Sequence, residues 1–81
     1  MKLSNDDFIL YEVFKTLYVP GHIISQQHLF MRTMKTMGVR IGLDSVKKFF
    51  IQMQEQGYGK YTMIDTKNPR FKDRNYGFIC K

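Results

Sequence analysis

The sequence predicts a small α+β domain in which three helices precede a two-stranded antiparallel hairpin. Three observations lead there. Apolar residues recur at helical spacing in three successive stretches, each closed by a glycine or proline. After Gly57 the pattern changes to the aromatic alternation of strands. The 81 residues contain no repeat, no low-complexity tract and no linker-like segment, which suits one domain spanning 1–81.

The first helix is expected to start at Ser4, whose hydroxyl can cap it, with Asp7 three residues on in the capping-box position. Leu3 and Phe8 hold the two positions of a hydrophobic staple. Ile9, Leu10, Val13, Phe14, Leu17 and Tyr18 share one side of the helical wheel, and Pro20 and Gly21 end the helix.

Ile23 and Ile24 form at most a very short first strand. Ser25 then caps the second helix, with Ile24 and Leu29 at staple spacing. This helix runs to about Met37 and stops at Gly38. Leu29, Phe30, Met34 and Met37 are expected to face inward, and His28, Arg32 and Lys35 to share the opposite face.

"GVRIGL" connects to a third helix spanning about 44–57, with Asp44 as its expected cap. Val46, Phe49, Phe50 and Met53 make its inward stripe. Lys47, Lys48, Ile51, Gln52 and Glu55 make its outer face, and Gly57 ends it. "YGKYTMID" and "NYGFICK" read as the hairpin strands. "TKNPRFKDRN", residues 66–75, joins them, with Asn68-Pro69 as a turn signal.

Charge narrows the function. Thirteen Lys and Arg stand against seven Asp and Glu, a net +6 that is unevenly spread. Residues 1–20 hold Lys2 and Lys15 against Asp6, Asp7 and Glu12. Residues 60–81 hold Lys60, Lys67, Arg70, Lys72, Arg74 and Lys81 against Asp65 and Asp73. Such asymmetry suggests one face turned to a polyanion.

Other classes find little support. No apolar run approaches the roughly 18 residues of a membrane span. "MKLSNDD" turns acidic where an export signal would turn apolar. Cys80 stands alone, so no intrachain disulfide can form and a reducing, cytoplasmic setting is expected. His22, His28 and Cys80 lack metal-ligand spacing, and Cys80 is expected in the core. The separated glycines make no phosphate loop. Asp6 and Asp7 are adjacent and diverge on a helix. No catalytic, metal-binding or cofactor-binding residue is assigned, and the chain is not expected to be an enzyme.

The element order resembles that of the winged-helix DNA-binding superfamily, and the resemblance becomes residue-specific in "LDSVKKFFIQMQEQGYGKY". Asp44, Ser45 and Val46 open the helix, apolar Phe49, Phe50 and Met53 follow, then polar Gln54 and Glu55, then Gly57 and Tyr58 opening the hairpin. The connector 38–43 is longer than a tight helix-turn-helix turn. The resemblance implies that helix three enters the DNA major groove and the hairpin, or wing, lies on the backbone or in a minor groove. Ser45, Lys47, Lys48, Ile51 and Gln52 would then face the DNA, with Gln52 suited to adenine, Ile51 to a thymine methyl, Lys47 and Lys48 to guanine or phosphate, and Ser45 to a base or a phosphate. Arg70 would enter a minor groove, and Lys67, Lys72 and Arg74 would neutralise phosphates. His28, Arg32 and Lys35 would hold the flanking backbone.

Plainer roles stand beside these. A charged hairpin tip also blocks edge-to-edge strand pairing. Lys47 and Lys48 would serve equally as surface lysines, and Ile51 as a protein contact. Phe71 and Tyr76 would stack on single-stranded bases or, more simply, pack across the hairpin. The expected function is therefore binding of double-stranded DNA as a small transcription regulator, of the kind found in phages or mobile elements, nucleoid-associated when bound. A homodimer or cooperative binding through the first helix is expected, because one such domain spans few base pairs. The competing reading is a winged-helix interaction module on a polymerase or replication assembly, and RNA binding is the third.

Overall fold

A computed structural model describes residues 5–63 and 76–81. Its element order is α1 (Asn5–Leu17), β1 (Ile23–Ser25), α2 (Gln26–Met37), α3 (Leu43–Glu55), β2 (Gly59–Met63) and β3 (Tyr76–Cys80). The class is α+β, as the periodicity predicts, and the helices precede an antiparallel β2–β3 pair. The short first strand is real. β1 pairs antiparallel with β3, giving a three-stranded sheet in the order β1-β3-β2.

Local chemistry sets most element ends. Ser25 ends β1 and caps α2 at once, its hydroxyl accepting from the His28 N–H at 2.9 Å. Gly38 closes α2 in the left-handed region at φ 67°, its N–H donating to the Met34 carbonyl. At the end of α3, Tyr58 N–H reaches the Met53 carbonyl and Gly57 N–H reaches that of Gln54, with Gly57 at φ 88°. This six-to-one, five-to-two pair is a Schellman ending, and glycine takes the left-handed position at no steric cost.

The start of α3 differs from expectation. Gly42, extended at ψ 154°, occupies the cap position and offers no side chain. Asp44 therefore lies inside the first turn, where its charge still favours the positive end of the helix dipole. The expected cap Ser4 and staple residue Leu3 of α1 lie outside the described residues, and Phe8 is 57% exposed.

Phe14 of α1 is the hub of the core. Its ring centroid lies 5.4–6.3 Å from those of Phe49, Phe50, Tyr58 and Phe78, all in edge-on contact. Phe50 stacks on Phe78 at 5.3 Å, which joins α3 to the sheet. Leu10, Val13, Val46, Phe49 and Met53 are buried as their wheels predict, and so is Cys80. Ile41 is buried too and anchors the connector 38–43.

α2 departs from its predicted orientation. Leu29 is buried and Phe30 partly so, but Met34 and Met37 are exposed. Gln26 and Thr33 take their place inside. The Gln26 amide oxygen accepts the Tyr61 hydroxyl at 2.8 Å, which holds the first turn inward. Positions 29 and 33 follow Gln26 onto the same face by helical spacing, and the methionines turn outward.

Candidate nucleic-acid interface

α3 divides into three strips. Val46, Phe49, Phe50 and Met53 are buried. On one flank, Gln52 Nε2 donates to the Asp7 carboxylate of α1 at 3.0 Å, and Gln52 is half-buried. On the other, Gln54 Oε1 accepts the Tyr61 backbone N–H at 2.9 Å and ties α3 to β2. Between the flanks, Asp44, Lys47, Lys48 and Glu55 are exposed, while Ser45 and Ile51 are half-buried. Of the five α3 residues expected to contact DNA, Lys47 and Lys48 are thus presented most fully. Gln52 is engaged with α1 through its amide nitrogen.

The hairpin is seated beside the start of α3. Tyr61 faces Phe78 across the strands and sits diagonal to Tyr76. The Tyr61 and Tyr76 rings stack at 5.4 Å and 18°, so Tyr76 packs across the hairpin as the simpler expectation had it. A cleft of about 350 Å³ opens between these tyrosines, Met63, buried Gln26 and the Leu43, Asp44 and Lys47 side chains of α3. Met63 and Tyr76 are the last described residues on either side of 64–75. Both of these residues line the cleft, together with Lys47. The wing residues Lys67, Arg70, Lys72 and Arg74 themselves lie outside the described residues, as does Phe71.

His28, Arg32 and Lys35 are exposed on α2 as expected. They are not alone there. Met31 and Met34 lie among them and line a shallow groove of about 300 Å³ with them. Sequence reasoning missed this because it placed Met34 inside, and it also passed over Arg40, an exposed cation in the connector. Lys47, Lys48, Arg32 and Lys35 enter no ion pair with the described residues, where the one pair is Lys15 with Glu12 at 3.1 Å.

Tyrosines join α1 to the segment that opens β2 and to the chain after β3. Tyr18 donates its hydroxyl to the carbonyls of Tyr58 and Lys81, and Tyr11 meets the Tyr58 hydroxyl at 3.4 Å. That hydrogen bond, with repulsion between the two phenolates, pushes the Tyr58 pKa above its usual 10.0. Among the described residues, no group of three His, Cys, Asp or Glu side chains could hold a metal, and no helix is long and apolar enough to cross a membrane.

Protein-family models, curated proteins and solved structures give no match to this chain. A functional reading therefore rests on the geometry and the charge of its own residues.

Proposed function

We propose that the chain is a winged-helix protein that binds double-stranded DNA inside the cell, with α3 toward the major groove and the basic wing, about 66–75, on the backbone or minor groove. Transcriptional regulation at an operator is the task this suits best. One observation carries the reading. Met63 and Tyr76, the described residues on either side of the basic segment, line the same cleft as Lys47 of α3.

Charge then divides the labour. The outward strip of α3 holds Lys47 and Lys48 against Asp44 and Glu55, and is neutral overall. A neutral strip supplies little non-specific attraction to phosphate. The connector 66–75 holds Lys67, Arg70, Lys72 and Arg74 against Asp73 alone. Affinity would come mainly from the connector and discrimination from Lys47, Lys48, Ser45 and Ile51. This reading does not call on the α2 cations, which share their face with Met31 and Met34.

The test is a titration of random duplex, single strand and RNA at several salt concentrations. Log K for duplex should fall with log salt at a slope of about −0.9 per phosphate neutralised. Lys72→Ala and Arg74→Ala should each reduce the slope by about one unit, and Lys48→Ala should weaken a preferred site more than random duplex. Absence of duplex binding at low salt removes this reading. The interaction-module reading, favoured by the exposed Phe8 ring, would then take its place.

A further inference from the structure

We propose that the outer face of α2 docks an acidic amphipathic helix of a partner protein. Met31, Met34 and Met37 follow one another at intervals of three, and are 49%, 36% and 43% exposed. Residues so spaced form a ridge on a helix surface. His28, Arg32 and Lys35 border the groove that Met31 and Met34 floor. α2 contains no acidic residue, and none of its basic groups is paired with a described residue.

This is not the make-up of a merely solvated face. Such a face intersperses both signs of charge and keeps large apolar side chains scattered. Here three thioethers lie together with uncompensated positive charge beside them. Nor does a phosphate backbone fit well, because it would satisfy the cations and leave the methionine floor with no apolar partner. A helix that carries leucine-like side chains at helical spacing, with carboxylates along one flank, satisfies both. The ridge rises about 9 Å from Met31 to Met37, enough for two turns of a docked helix. Methionine's flexible, polarizable side chain suits it to such a groove. A second copy of this chain is a poorer match. On α1, the described helix with more acids than bases, Phe8 is the one exposed large apolar side chain, so that helix presents no exposed apolar stripe, and Glu12 there is already paired with Lys15.

The surface includes neither α3 nor the connector, so it can be tested apart from DNA binding. The full chain, labelled with ¹³C at its methionine methyls, is titrated with a synthetic helical peptide of leucines at helical spacing flanked by glutamates. Two control peptides replace the leucines by serine or the glutamates by lysine. The Met31 and Met34 methyl signals should shift while buried Met53 stays fixed. The acidic amphipathic peptide should bind at least about tenfold more tightly than either control. M31S with M34S, and separately R32E with K35E, should each weaken it about tenfold with unchanged circular dichroism. All four sites are exposed, so folding should survive. Equal binding of the lysine peptide would overturn the proposal. So would Met31 and Met34 shifts produced by a random DNA duplex instead, or by raising protein concentration alone, which would make the occupant a nucleic acid or a second copy.

Discussion

Tyr61→Phe removes one oxygen from the residue that joins α2, α3 and the hairpin. In the parent the Tyr61 hydroxyl donates to the Gln26 amide oxygen at 2.8 Å, and Gln26 is only 3% exposed. Leaving a buried acceptor unsatisfied costs about 1–3 kcal/mol. Gln26 also lines the cleft beside α3, and a space of about 350 Å³ admits water that can rebind the amide. That places the expected loss in the lower half of the range, about 1–2 kcal/mol. The ring contacts with Tyr76 and Phe50 and the backbone bond to Gln54 do not involve the hydroxyl and should persist. Urea unfolding followed by circular dichroism should therefore show a lower midpoint at an unchanged slope. Gln26→Met, which removes the acceptor while keeping the volume, completes a double-mutant cycle whose coupling energy should be about 1 kcal/mol. A coupling indistinguishable from zero would refute the idea that this bond holds α2 in its observed rotation. Under the proposed function, duplex binding by folded Tyr61→Phe should match the parent, because neither the Tyr61 N–H bond to the Gln54 side chain nor the ring contact with Phe50 involves the hydroxyl.

Other substitutions read other parts of the fold. Gly59→Ala should destabilise by about 2 kcal/mol or more, since its Cβ would meet the Ile79 carbonyl and come within 2.6 Å of Phe78 Cε2, and a urea midpoint near that of the parent would count against the β2–β3 register. Thr33→Val should stabilise by about 1 kcal/mol, because the Thr33 hydroxyl is buried without a hydrogen-bond partner among the described residues, and a lower melting temperature would mean that the hydroxyl is in fact satisfied. Tyr58's raised pKa favours its neutral form in the folded chain, so that contribution is complete below pH 10 and is lost as pH rises through the raised value. Tyr11→Phe removes the neighbouring phenolate, so the alkaline fall in stability should become shallower in pH-dependent melts.

The fold was legible where one signal dominated. Buried stripes in α1 and α3, the Ser25 cap and the Gly38 and Gly57 stops follow from periodicity and local backbone chemistry. The short β1 was readable from Ile23 and Ile24, although its place beside β3 depends on a pairing more than fifty residues distant. α2 was misread because its apolar residues exceed one stripe. Leu29, Phe30, Met31, Met34 and Met37 allow several rotations, and the choice is made by a polar contact, Tyr61 to Gln26, that spans thirty-five residues. No local pattern announces such a bond. The start of α3 was misplaced by two residues for a related reason. An Asp before an apolar run is a stronger cap signal than a Gly, but the extended Gly42 lets the helix begin earlier.

The same long-range contacts decide which α3 residues would remain for the proposed recognition. On a wheel Gln52 belongs to the outer face, and a glutamine there suggests an adenine contact. Its amide nitrogen instead meets Asp7, a residue whose sequence role seemed to be capping. For Gln52 to pair with adenine through both of its polar atoms, that bond to α1 would have to break. Gln54 is similarly committed, to β2. The two glutamines thus clamp α3 between α1 and the sheet, which fixes the helix rigidly while narrowing the strip it can present. Lys47 and Lys48 lie on that strip between the acids Asp44 and Glu55, so α3 brings orientation and a few directed donors but no net charge. Under the proposed DNA-binding function, a domain built this way would depend on the connector for its hold on a polyanion. That dependence would give Lys67, Arg70, Lys72 and Arg74 a reason to be crowded between two strands.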